Sequence, residues 1–208
     1  MTSTPPHLSR RRGVGQDRAV PTVQDATAER WDDLTAVFGT RGDAPRCWCQ
    51  WFRHQRPGFY ATTQEQRRAD LQAQLAADVP PGVLAYDDAG VPSGWCAVAP
   101  RADYPRLTNY PAAAGTADQD GLWSVTCFVV RVGKRRQGLS EVLLDGAVDL
   151  ARRHGARAVE AYPLDTTVRA ASSAELFHGP LSVFQRRGFT EIGVRTSKAR
   201  PVVRLDLG

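Results

Sequence analysis

The sequence predicts a mixed α/β fold, a sheet with helices packed against it, and three observations carry that prediction. Leu122 to Val130 is a near-continuous apolar run rich in β-branched and aromatic residues, which suits a central strand. A basic, glycine-containing turn leads from it into Leu139–His154, where Leu139, Val142, Leu143, Ala147, Leu150 and Ala151 make one apolar helical stripe. Along the whole chain the patterns follow the order β, α, α, β, β, β, α, β, α, β, β, which a sheet covered by helices accommodates around one core.

Residues 1–18, rich in Pro, Ser, Arg and Gly, are expected to form a disordered basic tail, and residues 19–208 a single domain. Ala19 to Val23 is a short apolar run that fits a first strand. Thr27 is a candidate cap for a helix with Trp31, Leu34 and Phe38 at helical spacing and Gly39 as its stop. Residues 41–46 read as a loop, followed by the dense aromatic-thiol segment 47–54. Thr62 and Thr63 stand three residues before Glu65 and Gln66, the spacing of a capping box, so a helix follows to about Ala77 with Leu71 and Leu75 inward. Val83–Tyr86 and Trp95–Val98 flank Asp87-Asp88-Ala89-Gly90 and read as an antiparallel hairpin. Residues 99–121 form a long loop, and loops of that length are functional or disordered. Gly155 ends the long helix, and Ala158–Tyr162 is the next strand. After a loop over 163–181, Ser182–Arg187 is a short helix closed by Gly188, and Glu191–Thr196 and Val202–Leu207 are the last two strands.

Composition narrows the function. With 208 residues, 42% hydrophobic and 24% charged, the chain can bury a core without disulfide staples and is not disordered as a whole. No stretch approaches the roughly 18 apolar residues of a membrane span, and no apolar segment follows the basic N-terminus, so a cytoplasmic protein with no membrane partner is expected. The net charge of +5 suits an anionic ligand. Only the tail and the overall charge speak for nucleic acid, so none is expected. The four cysteines read as thiols, with Cys96 and Cys127 inside apolar runs as core residues. Cys47-x-Cys49 lacks a second pair of ligands, and no metal site is expected.

The segment that carries chemistry runs from Val130 to Ser140. A buried strand passes through a tight basic turn directly into a helix N-terminus, where free N–H groups and the helix dipole bind phosphate. Gly138 lets the backbone approach an anion closely, and Arg135 and Arg136 add positive charge. The pattern is neither a Walker A loop nor a dinucleotide fingerprint.

Arg135-Arg136-Gln137-Gly138-Leu139-Ser140 resembles the Arg/Gln-x-x-Gly-x-Gly/Ala signature of the GNAT superfamily of N-acetyltransferases, with Ser140 in place of the last small residue. Trp123 to Val130 is similar to that family's fourth strand. Phe184-Gln185-Arg186-Arg187-Gly188-Phe189 resembles its Tyr-x-x-x-Gly-Phe ending, apart from Phe184. Cys47-Trp48-Cys49-Gln50-Trp51, Gly94-Trp95 with Ala99-Pro100-Arg101, Trp123-Ser124-Val125 and Glu160-Ala161-Tyr162-Pro163 are similar to a largely uncharacterised bacterial subgroup. The resemblance spans residues 19–207. It implies a mixed, mostly antiparallel twisted sheet splayed between its fourth and fifth strands, in a monomer or homodimer that uses acetyl-CoA. By the same resemblance, Arg135, Arg136, Gln137, Gly138, Leu139 and Ser140 hold the pyrophosphate. Main-chain groups of Phe128, Val129 and Val130 pair with the pantetheine arm, and Phe184 and Arg187 complete the cofactor contacts.

Phe184 stands where many members carry the tyrosine that protonates the departing thiolate, and phenylalanine has no proton to give. Tyr162 and His178 are the candidate replacements, His178 being expected to lie exposed in its loop. An alkyl amine, with a pKa of about 10.4 by analogy with lysine, must lose a proton before it attacks. Glu160 is the candidate base, on the same strand face as Tyr162, with Asp165 following in the adjoining loop. Cys127 lies on the fourth strand, but packing explains it better than an acyl-cysteine. Trp48, Trp51 and Phe52 are candidate walls of an acceptor pocket, with Arg101, Tyr104 and Trp123 as further acceptor residues. The implied activity is acetyl transfer to a small-molecule amine, such as an antibiotic, a polyamine-like metabolite or an amino-acid derivative, in modification or self-resistance. Acetylation of a protein lysine or N-terminus, and an acyl-CoA sensor without turnover, are the two alternatives.

Overall fold

The structure, a computed structural model, describes residues 21–110, 120–172 and 175–208. The tail over 1–18 and most of the second half of the 99–121 loop lie outside the described residues. Seven strands form one sheet: β1 (Thr22–Asp25), β2 (Gly82–Tyr86), β3 (Pro92–Pro100), β4 (Leu122–Val130), β5 (Ala158–Ala161), β6 (Thr190–Ser197) and β7 (Arg200–Asp206). Their spatial order is β1-β2-β3-β4-β5-β7-β6. Every neighbouring pair is antiparallel except β4 and β5, which run parallel.

Helices cover both faces. On one, α5 (Leu139–Arg153) and α6 (Leu181–Gln185) pack Leu143, Leu144, Ala147 and Phe184 against Val83, Val98, Val125 and Phe128. On the other, α1 (Trp31–Phe38), α2 (Ala44–Cys47) and α4 (Gln64–Gln74) close over Leu84, Trp95 and Ala97. A smaller cluster of Phe52, Tyr104, Leu107, Tyr162 and Val202 extends that second face toward the C-terminal end of β5. No helix among the described residues is long and apolar enough to cross a membrane.

Several elements differ from the sequence expectation. The first strand is Thr22–Asp25, later than Ala19–Val23. Thr27 makes no side-chain cap: a 3-10 turn over Ala28–Arg30 intervenes, and α1 begins at Trp31. The Thr63–Gln66 capping box is formed, with the Gln66 N–H donating to Thr63 Oγ1 (3.2 Å) and the Thr63 N–H to Gln66 Oε1 (2.7 Å). The helix it starts ends at Gln74, short of Ala77. The segment read as loop and aromatic-thiol stretch contains α2, and α3 (Arg56–Ala61) follows it. Each carries a proline in its first turn, where the missing N–H costs nothing and the fixed φ suits a helix start. The 99–121 loop opens with 3-10 turns over Arg101–Asp103 and Pro105–Asn109.

Candidate active site

Parallel pairing of β4 with β5 runs only from Leu122↔Ala158 to Val125↔Ala161. At that point the register of β4 on β3 shifts, because Val98 faces Val125 while Ala97 faces Cys127, leaving Thr126 as an extra residue, a β-bulge. β5 stops at Ala161 and its chain is drawn away. The Leu164 N–H donates to the Gly179 carbonyl (2.9 Å) and the Asp165 N–H to the Ala199 carbonyl (2.8 Å). The sheet therefore splays. Phe128, Val129 and Val130 pair with Cys96, Trp95 and Gly94 on one edge, and among the described residues no strand pairs with their other edge. An open run of backbone donors and acceptors is a ready partner for an extended amide-bearing chain.

The basic turn sits at the end of this edge. Gly133, Arg136 and Gly138 all have positive φ (89°, 61° and 81°), which curls residues 131–138 tightly between strand and helix. Gly138 is the N-cap of α5 and no side chain caps the helix; the Glu141 N–H turns back to the Gly138 carbonyl (2.9 Å), which leaves the N–H groups of Leu139 and Ser140 at the helix start to be offered outward. A Cβ placed on Gly138 would meet no neighbouring element within 4 Å. Arg135, Arg136 and Gln137 are exposed, Ser140 is half-buried and Leu139 anchors the helix in the core. Arg135 Nε donates to the Val130 carbonyl (3.3 Å). Arg187 is turned aside to Asp145 (2.6 Å) and Glu141 (3.1 Å) on α5. Phe184, fully buried, meets Phe128 edge-on with ring centroids 5.9 Å apart. The cradle and the open strand edge suit a phosphate-bearing carrier with a pantetheine-like arm.

Across the sheet from α5 lies a buried polar group. Glu160 has no exposed surface. Its Oε1 pairs with Arg204 Nη2 at 2.5 Å, and its Oε2 accepts from Tyr162 Oη (3.3 Å) and lies 4.0 Å from Arg101 Nε. Tyr162 Oη also lies 3.4 Å from Ser124 Oγ. Burial first, and then the Glu160 charge, push the Tyr162 phenol well above its ordinary pKa, so it keeps its proton. Tyr104 is equally buried and is pushed up to about 12, chiefly by burial.

Of the aromatic candidates, Phe52 stacks on Tyr162 (6.4 Å) and meets His178 edge-on (5.5 Å). Trp51 packs against Phe59 and lies under the Arg106 guanidinium, 3.6 Å from its ring centre. Trp48 belongs to another cluster, stacked on Phe38 (5.0 Å) and Trp31 (5.7 Å). Trp123 faces α5, beside His154. The structure thus gathers Phe52, Arg101, Tyr104, Glu160 and Tyr162 and leaves Trp48 and Trp123 apart from them.

His178, expected to be exposed, is buried. Its ring lies against Phe177 (3.9 Å), and burial, reinforced by the Arg200 charge, lowers its pKa to about 3. Cys127, expected in the core, is half-buried, and its thiol is in contact with that of Cys49. Asp165 is held by Arg195 (2.8 Å). Tyr110, Arg200 and Arg204 were not marked by any sequence pattern, because a single arginine or tyrosine in a strand or loop has no periodicity to betray its neighbours. Among the described residues no cluster of His, Cys, Asp or Glu could hold a metal ion.

A phosphate cradle feeding an open strand edge, with a sealed polar face beyond it, is the arrangement of an acyltransferase that works from an acyl-CoA. The model of the acetyltransferase (GNAT) family matches residues 28–178, well over half of the chain, and the chain belongs to that family. Acetyl-CoA is accordingly its cofactor. Solved structures share the fold at low identity. A GCN5-related N-acetyltransferase from Kribbella flavida is 19% identical, with 90% of this chain and 98% of that one covered and a TM-score of 0.52. The yncA protein of Salmonella typhimurium with its cofactor acetyl-CoA is 16% identical (90% and 94% covered, TM-score 0.51). The PaiA N-acetyltransferase of Thermoplasma acidophilum in complex with coenzyme A is 11% identical (90% and 99% covered, TM-score 0.50). Among proteins with curated functions, none matches this chain.

Proposed function

We propose that the protein transfers the acetyl group of acetyl-CoA to the amine of a small molecule, which attacks the thioester directly. The observation that supports a small acceptor is the enclosure of the site's far side. Phe52, Tyr110, Tyr162 and His178 form a ring-on-ring cluster there, with the 3-10 turns after β3 beside it, where a protein substrate would need an open groove. Bound acetyl-CoA supplies an electrophilic acyl carbon and a thiolate leaving group. The exposed N–H groups of α5 and of the 131–138 turn bind its phosphates, and the free edge of Phe128–Val130 orients its arm. A strand N–H next to the Thr126 bulge stabilises charge on the acyl oxygen.

Phe184 has no proton to offer, so the relay we assign is Tyr162 Oη, which passes its proton to the departing CoA sulfur and takes the one the attacking amine releases, so that no tyrosinate is left in the sealed site. Glu160 acts through it as a positioning residue. Both carboxylate oxygens are engaged, which gives Glu160 little room to serve as the base itself. The first test is thermal unfolding with acetyl-CoA, followed by free CoA release across an amine panel that includes amine-bearing antibiotics, polyamines, amino-acid derivatives and a lysine peptide. Release with a small amine but not with the peptide is the expected result. Release only with the peptide would replace this reading with protein acetylation. Cofactor binding with no release from any amine would point to a sensor.

A further inference from the structure

We infer that the acceptor carries an oxyanion as well as its amine, and that Arg200 recognises the oxyanion with His178 beside it. This rests on the acetyltransferase reading above and names the substrate class of that same site. Arg200 opens β7. The bond from the Asp165 N–H to the Ala199 carbonyl sets it at the C-terminal end of β5, where the sheet splays. Its side chain shares a hydrogen bond with Tyr110 and its charge reaches His178, so the three side chains share one locality and only Arg200 Nη1 is left over. His178 and Tyr110 in turn touch Phe52 and Tyr162, which joins this locality to the acceptor side of the site.

Two buried polar atoms here lack partners. Arg200 Nη1 and His178 Nδ1 are both sealed from solvent and make no hydrogen bond. His178 itself is only 5% exposed. A buried guanidinium nitrogen without an acceptor is expensive, and native structures tolerate such groups where a ligand completes them. The neighbouring carboxylates are already committed. Glu160 is held by Arg204 and approached by Arg101, and Asp165 and Glu191 are both held by Arg195. No described carboxylate pairs with Arg200. A carboxylate, phosphinate or phosphonate on the acceptor matches the planar guanidinium fork. His178, kept neutral by burial and by Arg200, offers a ring nitrogen to a polar hydrogen of the same molecule. The arrangement also favours the chemistry, since a fixed cation near the amine disfavours its ammonium form and exposes the lone pair that attacks.

The test measures binding and turnover separately. The common L-amino acids and aminoalkyl phosphonates, each paired with its neutral carboxamide or ester, are titrated into the CoA-loaded protein, and the same panel is assayed for CoA release from acetyl-CoA. At least one anionic amine should bind ten-fold or more tightly than its neutral counterpart. That ratio should fall to within two-fold in Arg200→Met and persist in part in Arg200→Lys, with the CoA-induced thermal shift of both variants showing that they fold. No anionic preference in the wild type, or a preference that survives Arg200→Met, overturns the inference whether or not acetyl transfer occurs. A preference that vanishes in Arg200→Met without any CoA release upholds the oxyanion site and instead overturns the transferase reading.

Discussion

Gly138 and Tyr162 make opposite demands on their surroundings, and each yields a test. Gly138 has φ of 81°, so a side chain there is strained by its backbone, and a carboxylate added to this turn would repel the phosphates we assign to it. Gly138→Glu should abolish the thermal stabilisation by acetyl-CoA while leaving the protein folded. An unchanged shift would remove the turn from the cofactor site. Tyr162→Phe keeps the packed ring and deletes only the hydroxyl. We expect kcat to fall by about 10²-fold, a typical contribution of a positioned acid, with the acetyl-CoA shift unchanged. Glu160→Gln leaves Arg204 and Arg101 facing a neutral amide in a sealed site and should lower the melting temperature, which a surface carboxylate would not do. At this scale the cradle was legible in the sequence, because strand, glycine turn and helix are contiguous. The pairing of Glu160 was not, because it needs the register that sets Glu160 opposite Arg204 across two strands 44 residues apart. His178 was misplaced for the same reason: a polar-looking loop folds back under Phe52.

Among the elements, the junction of α5 with β1 leaves no room for an added methyl group. Gly146 sits inside the helix, where alanine would ordinarily add up to about 1 kcal/mol of propensity. Here a Cβ would stand 2.4 Å from Val23 Cγ1, which cannot be tolerated without a shift of the helix. Gly146→Ala should therefore destabilise by about 1–3 kcal/mol, as overpacking does, and Val23→Ala should recover part of the loss in a double-mutant cycle read by denaturant unfolding. Additive losses would show that the contact is not the cause. The sequence announced α5 and β4 clearly, since a 15-residue stripe and a nine-residue apolar run admit few alternatives. It did not announce α2 and α3, which are four and six residues long and carry a proline as their second residue. Nor did residue pattern alone locate the splay, which depends on one extra residue, Thr126, in an otherwise regular strand.

For the whole molecule the buried polar face makes a prediction about acid. His178 titrates near 3 in the fold and near 6.5 in the unfolded chain, so below 6.5 the unfolded state binds the proton that the native state refuses. The stability is complete above that value and is lost as the pH falls toward 3, reaching a loss of about 2 kcal/mol by pH 5 from the linkage relation. Carboxylates whose pKa the fold lowers also lose stability in acid. Asp87, held by Lys134, and Glu175, held by Arg169, both titrate near 2, and Asp165, hydrogen-bonded by Thr167 and paired with Arg195, lies below its ordinary value. Their contributions fade only as the pH falls through and below about 4, where unfolded carboxyls begin to protonate. The interval from pH 6.5 to 5 thus belongs to the imidazole. His178→Phe retains an aromatic ring against Phe52 and Phe177 and has nothing to titrate. Denaturant unfolding across that interval should give a falling stability for the wild type and a nearly flat one for the variant, with both curves dropping together below pH 4. Parallel curves between pH 6.5 and 5 would mean that His178 is not sealed against protons, and the site's far side would then be open to water rather than closed around its acceptor.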